Sequence, residues 1–190
     1  GMVMLGAGVG SDSGAIGQFV FDQRNFDITD WPQSMGEFLN GKGFRGGGQR
    51  LRIALEPGTQ LSQYSVSFSE PYIGDKPISF ETVGSQYERE RESYDEGRLR
   101  GYLTLEKRYR NRWRRNLAIR LEDVDVDSID FDAPREITKV RGGNSIAGLR
   151  LGVPRDLTDD RFNPTRGAIF DIGYEQVGGD HSFGLFETSY

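Results

Sequence analysis

The 190-residue sequence contains no cysteine and a single histidine, His181. The first absence removes disulfides, thiolate metal sites and thiol nucleophiles together. The second leaves no imidazole pair for a metal cluster or a histidine relay. No apolar run approaches the roughly 18 residues of a membrane-spanning helix, and mean hydropathy is −0.60. That excludes a helical span only, because a strand with one polar face averages to low hydropathy. An excess of positive charge is lacking as well. With 24 Lys+Arg against 29 Asp+Glu and a pI of about 5.0, a general nucleic-acid binder is disfavoured. What the chain has in excess is glycine, 26 residues, about twice the average share of roughly 7%. Its length suits one domain, or part of a larger one, and can bury a core.

Periodicity sets the fold class. In the windows 51–55, 64–68, 99–105, 117–121, 149–153 and 168–174, 19 of the 20 alternate positions counted from each first residue are apolar, Gly101 being the exception. Among the 14 intervening positions only Tyr102 and Ile169 are large and apolar. The rest include Arg52, Arg100, Arg120, Arg150 and Asp171. A period of two means strands with one apolar and one polar face. Weaker alternation over 4–10, 15–22, 78–87 and 182–190 brings the expectation to roughly ten strands in an all-β, antiparallel, up-and-down meander. Turn compositions at Ser11-Asp12-Ser13-Gly14, Gly74-Asp75-Lys76-Pro77, Asp95-Glu96-Gly97 and Gly178-Gly179-Asp180 join them as hairpins. Two longer stretches, 25–48 and the acidic run 122–136, break the rhythm.

Alternation does not say which face meets what. A soluble barrel or sandwich, acting as a binding module, turns the apolar face inward; an outer-membrane barrel turns it toward lipid. Charges of both signs at mid-strand (Arg100, Glu106, Arg108, Arg120, Glu122) suit a wet lumen. Aromatics toward strand ends (Tyr72, Phe80, Tyr109, Trp113, Phe170, Tyr174) suit an interfacial girdle.

Several motifs carry more. Ser67-Phe68-Ser69-Glu70-Pro71-Tyr72-Ile73 resembles the Glu-Pro-Tyr strand end of the BamA-like outer-membrane assembly family, the bacterial surface antigen barrels. The order around it is similar too. A Gly-rich first strand, Leu5-Gly6-Ala7-Gly8-Val9-Gly10, precedes Asp22-Gln23-Arg24-Asn25-Phe26, Phe44-Arg45-Gly46-Gly47-Gly48-Gln49 and Pro57-Gly58-Thr59. Asp160-Arg161-Phe162-Asn163-Pro164-Thr165-Arg166-Gly167 resembles the family's turn before a strand.

The resemblance implies part of a transmembrane barrel in the bacterial outer membrane. It implies a non-enzymatic role in inserting client outer-membrane proteins, with no cofactor. Membrane lipid, client proteins, POTRA domains and accessory lipoproteins are the partners it implies. The strand Leu5, Gly6, Ala7, Gly8, Val9, Gly10 becomes the lateral gate that templates a client strand. The family barrel has about sixteen strands, inside the even-numbered range. Residues 1–190 are therefore expected to form a single domain, the N-terminal portion of such a barrel, without POTRA domains or C-terminal strands. Gly1-Met2 reads as an expression scar, and Phe186–Tyr190 stops within a strand pattern. Gly184 is followed by Glu187 and Ser189, unlike a terminal targeting strand, and Val140-Arg141-Gly142-Gly143 lacks the Phe of the family's inward loop motif. A partial barrel has two bare edges, so pairing with a second copy or closure with fewer strands is expected.

Other motifs point to ordinary structure. Gly41-Lys42-Gly43-Phe44-Arg45-Gly46 matches a dinucleotide fingerprint but lacks the flanking strand and helix that would aim a helix N-terminus at a pyrophosphate. Ser13 lacks a positioned base. The acidic residues Asp123, Asp125, Asp127, Asp130 and Asp132 fail an EF-hand pattern at Ser128 and Pro134. His181 reads as a surface turn residue. No catalytic or metal-ligating set is expected. Glu88, Glu90 and Glu92 cannot face a bilayer core, so 87–98 is expected to extend past the membrane, and likewise 106–112. Arg89 and Arg91 are expected to pair with Glu106, a contact worth about 0.2–1 kcal/mol.

Overall fold

The structure, a computed structural model, describes residues 1–11, 13–131, 141–160 and 162–190. The expected meander is present. Its strands are β1 (Met2–Gly10), β2 (Gly14–Phe26), β3 (Gln49–Glu56), β4 (Leu61–Glu70), β5 (Ile78–Glu90), β6 (Asp95–Arg108), β7 (Arg114–Asp127), β8 (Gly142–Gly152), β9 (Arg155–Asp156), β10 (Ile169–Gly179) and β11 (Phe183–Ser189). The sheet order is β1-β2-β3-β4-β5-β6-β7-β8-β10-β11, antiparallel throughout, with the two-residue β9 pairing the start of β10. Each of the ten expected windows falls on one strand of this path. A five-residue helix, Met35–Leu39, lies in the β2–β3 connection, inside the long stretch expected to interrupt the strands.

Among the described residues the sheet does not close, which corrects the expectation of closure with fewer strands: there β1 pairs β2 alone, and β11 pairs β10 alone. Asp95-Glu96-Gly97 is not a turn. Those residues begin β6, and residues 91–94 make the reversal. The acidic run is strand as far as Asp127; its residues 132–136 lie outside the described residues, as do Asp12 of the first turn, Val140 and Arg161.

Register shows how the two faces are built. Directly opposed residues of an antiparallel pair share a face. On one face Leu51, Phe68, Thr82, Leu103, Ile119 and Leu149 form a continuous row across β3 to β8, and Phe80, Leu105, Leu117, Leu151, Tyr174 and Phe186 form the next. The apolar stretch is Leu51–Leu55 in β3 but Leu117–Leu121 in β7. Since Ile53 and Leu121 share a row, the band has slipped one row between them. Strands tilted across a slab of fixed orientation require that drift.

This apolar face is the open one. Leu103 is 39%, Ile119 38% and Leu151 56% exposed, so they do not meet in a dry interior. Four of the five buried apolar side chains among the described residues, Val20, Ala54, Val126 and Val177, lie instead on the polar face. The sheltered side of the sheet is thus its charged side, the reverse of a soluble sandwich.

Candidate functional site: two open edges on an inside-out sheet

The polar face is tied by ion pairs that run both along and across strands. Arg91 contacts Glu96 at 3.5 Å, and Glu96 accepts a hydrogen bond from Arg98. Glu122 receives Arg100 at 3.0 Å and Arg120 at 3.2 Å, with Arg98 at 4.0 Å, and Arg120 reaches Glu175 at 2.9 Å. That last contact spans from β7 to β10 over β8, and Gly148 makes it possible. A Cβ there would stand 2.2 Å from the Glu175 carboxylate. Near the first strands, Arg50 donates to both carboxylate oxygens of Asp22, at 3.1 and 2.6 Å. Two expected contacts are corrected. Glu106 lies opposite Ser79 and pairs Arg114 at 3.6 Å, while Arg89 lies opposite Glu96. Glu106 and Arg89 sit at opposite ends of the β5–β6 hairpin, so they cannot meet.

The two ends of the sheet differ in charge. Beyond the apolar band at one end, Glu90, Asp95 and Asp127 share a row with no cation between them. Glu88 and Asp125 share the next row. This hairpin extends past the band, as the carboxylates require. At the other end stand Lys107, Arg108, Arg110, Arg112, Arg114 and Arg115, together with Tyr72, Tyr109 and Trp113. All six aromatics singled out in the sequence fall toward this basic end, so they form one girdle rather than two.

Three of the motifs that carry the resemblance, Glu70-Pro71-Tyr72, Phe26 with Phe44, and the turn before β10, are structural pins at the basic end. The Glu70 carboxylate accepts hydrogen bonds from the Tyr72 backbone N–H at 3.0 Å and the Gln49 side chain at 2.8 Å. Arg108 donates to the Pro71 carbonyl at 2.7 Å and lies over the Tyr72 ring. A register shift between Gln23 and Phe26 turns Phe26 onto the apolar face. There it stacks on Phe44 at 5.5 Å and meets Phe68 edge-on, with Trp31 against Phe44.

In the turn before β10, Asp160 accepts from the backbone N–H groups of Phe162 and Asn163. Asp159 accepts from the N–H groups of Asp160, Thr165 and Arg166 and from the Thr165 hydroxyl. These donors favour the ionised form, the Thr165 hydroxyl most, and hold Asp159 well below the usual carboxylate range. Gly167 closes this turn at φ +110, where a Cβ would meet the Leu157 carbonyl at 2.3 Å.

The expected gate residues Leu5, Gly6, Ala7, Gly8, Val9 and Gly10 all lie in β1. The register Leu5↔Phe19 to Gly10↔Gly14 uses one side of the strand. The other side has no partner among the described residues, and every β1 side chain is exposed, Leu5 at 79% and Val9 at 88%. None of Gly6, Gly8 and Gly10 has a positive φ. At Gly8 a Cβ would sit 3.9 Å from Ile16, an ordinary contact. Neither backbone conformation nor space demands glycine at position 8. What the residue contributes is a backbone with little to pack it. The contrast with Gly148 is direct, since there glycine is sterically required. β11 is the second open edge, also exposed along its whole length.

Among the described residues no group of His, Asp and Glu is arranged to hold a metal ion. His181 stands exposed between β10 and β11, and Gly41–Gly46 lies in the β2–β3 connection with no following helix.

Comparison with known proteins agrees with this architecture. A family model described as the Omp85 superfamily domain matches residues 43–190. A solved structure, BamA from Haemophilus ducreyi lacking POTRA domains 1–3, superposes with a TM-score of 0.57 at 16% identity, covering 94% of this chain. The chain spans 34% of the length of that BamA chain. No curated protein matches the sequence. With the family model covering well over half of its residues, and with an antiparallel meander whose charged face is sheltered, the chain belongs to the Omp85 superfamily.

Proposed function

We propose that this chain is the N-terminal portion of an outer-membrane barrel that assembles other outer-membrane proteins, with β1 as the strand that receives the client. The observation that carries the reading is the state of β1: paired on one side, exposed throughout, and rich in glycine where Gly8 has room for a side chain. An edge strand offers unpaired N–H and C=O groups to an incoming strand, and backbone pairing is indifferent to the client's side chains. Weak packing keeps the cost of opening low. No bond is made or broken, so the work needs edge exposure rather than a nucleophile or a cofactor. By family likeness the parent protein adds POTRA domains and further strands, works in the bacterial outer membrane, and engages accessory lipoproteins. A second copy of this chain would add at the same two edges.

The test is disulfide trapping. Cysteines at Ala7 and Val9, in the full-length protein, are expected to cross-link to cysteines in the terminal strand of several unrelated client barrels. Absence of adducts with every client, while the same cysteines react with a small thiol reagent, overturns the gate assignment.

A further inference from the structure

Among the described residues, three cations on the apolar face of the basic end have no carboxylate partner. Lys107 and Arg115 lie directly opposite each other on β6 and β7, in the row immediately beyond Leu105 and Leu117. Like charges so placed repel, yet among the described residues neither makes an ion pair. Instead the Lys107 ammonium and the Arg115 guanidinium each lie 5.4 Å from the centroid of the Tyr109 ring. Arg155, on β9, lies 4.8 Å over the Trp113 ring, and its Nε is buried without a hydrogen-bond acceptor. Beside the two rings is an open groove of about 310 Å3, lined by Tyr109, Asn111, Trp113, Arg115 and Val153.

The contrast with the polar face is what makes this cluster informative. Arg50, Arg100, Arg114, Arg120 and Arg150 each have a carboxylate within 4.0 Å. Lys107, Arg115 and Arg155 have two aromatic faces and an unmet demand for an anion. The groove opens on the side of the sheet that carries Leu105, Leu117 and Leu151, one row away. An anion seated there with apolar chains running along that row satisfies both features at once.

We infer that Lys107, Arg115 and Arg155, with Tyr109 and Trp113, form a binding site for the phosphate of a membrane phospholipid at the basic rim of the sheet. The cations neutralise the phosphate, the rings hold the interfacial level, and the acyl chains cover the leucine row. Charge complementarity and continuity with the apolar face favour lipid over free phosphate, whose binding needs no apolar neighbour. The inference rests on the apolar face meeting the bilayer.

The full-length protein in uncharged-detergent micelles is titrated with phosphatidylglycerol, and bound lipid is counted by native mass spectrometry. A diacylglycerol with the same chains and inorganic phosphate are the comparison ligands. For K107Q/R115Q/R155Q the half-saturating phosphatidylglycerol concentration is expected to rise at least about tenfold. The variant R110Q/R166Q, which removes exposed basic residues from the same end, is expected to shift it less than about twofold. Diacylglycerol is expected not to bind the site, and millimolar inorganic phosphate not to displace the lipid. Equal retention by the triple variant, equal loss in R110Q/R166Q, or displacement by inorganic phosphate overturns the lipid site while leaving the barrel reading intact. A protein that stays monodisperse without detergent and takes up no lipid overturns both. Heat-modifiable mobility of each variant confirms that loss of lipid is not loss of the barrel.

Discussion

The β6–β7 hairpin at the middle of the sheet and the β1–β2 hairpin at its edge share a topology and a period but are held in different ways. In the middle of β6–β7 both faces are tied. Leu103 and Leu105 lie opposite Ile119 and Leu117 on the apolar face, while Arg98, Arg100 and Arg120 converge on Glu122 on the other. In β1–β2 the apolar face has Leu5 against Phe19, but the polar face pairs Gly6 with Gln18 and Gly8 with Ile16. No ion pair joins the two strands among the described residues. The Asp22 carboxylate turns away from β1 to Arg50 on β3. The two hairpins are held unequally, and the difference lies in side chains on the sheltered face.

The largest expected effect comes from breaking the middle hairpin on its open side. Ile119→Arg puts a charge at the centre of the apolar band, and folding into lipid vesicles should become less favourable by about 2–4 kcal/mol. The same change at an exposed position of a soluble sheet would stay within about 0.5 kcal/mol. On the sheltered side, Glu122→Ala strips the shared acceptor from Arg98, Arg100 and Arg120. A loss of about 1.5–3 kcal/mol is expected in urea unfolding from vesicles.

The edge should respond in the opposite sense. Gly8→Val adds a β-branched side chain where there is room, stabilising the β1–β2 pair by up to about 1 kcal/mol. Client insertion should slow even as stability rises. A variant that is more stable and equally active would separate β1 packing from function.

The smallest effect belongs to the Asp159 turn. Its carboxyl is held below its ordinary value, so its ionisation favours the folded turn. That contribution is full above an unfolded pKa of about 3.9 and declines as pH falls from there toward the depressed value. Hydrogen-exchange protection at Thr165 and Arg166, taken relative to the intrinsic amide rate at each pH, should stay level from neutral pH to about pH 4 and fall only toward pH 3. Asp159→Asn should remove that dependence.

Much of this was legible in the sequence because a period of two is a local property. Leu117, Ile119 and Leu121 announce a strand whatever lies beside them, and so all ten strands of the sheet path could be placed. The β1 edge was legible through Leu5–Gly10 and the motifs after it. What depends on register was not. Nothing in the local order says that Arg120 reaches over Gly148 to Glu175, or that Glu106 faces Ser79 rather than Arg89. Asp95-Glu96-Gly97 has a turn composition, yet pairing with Arg89 and Glu90 overrides it. The shift that turns Phe26 outward, and the stacking of Lys107, Arg115 and Arg155 on two rings, also follow from how strands align.

The central claim is that the leucine rows face hydrocarbon while the arginine ladder faces water. Nitroxide labels placed singly along 117–122 of the vesicle-reconstituted protein test it most directly. Collision with oxygen, which partitions into lipid, should peak at 117, 119 and 121. Collision with a water-soluble nickel chelate should peak at 118, 120 and 122. Labels at 117, 119 and 121 that are shielded from both reagents, with 118, 120 and 122 open to the chelate as on a soluble surface, would contradict the account.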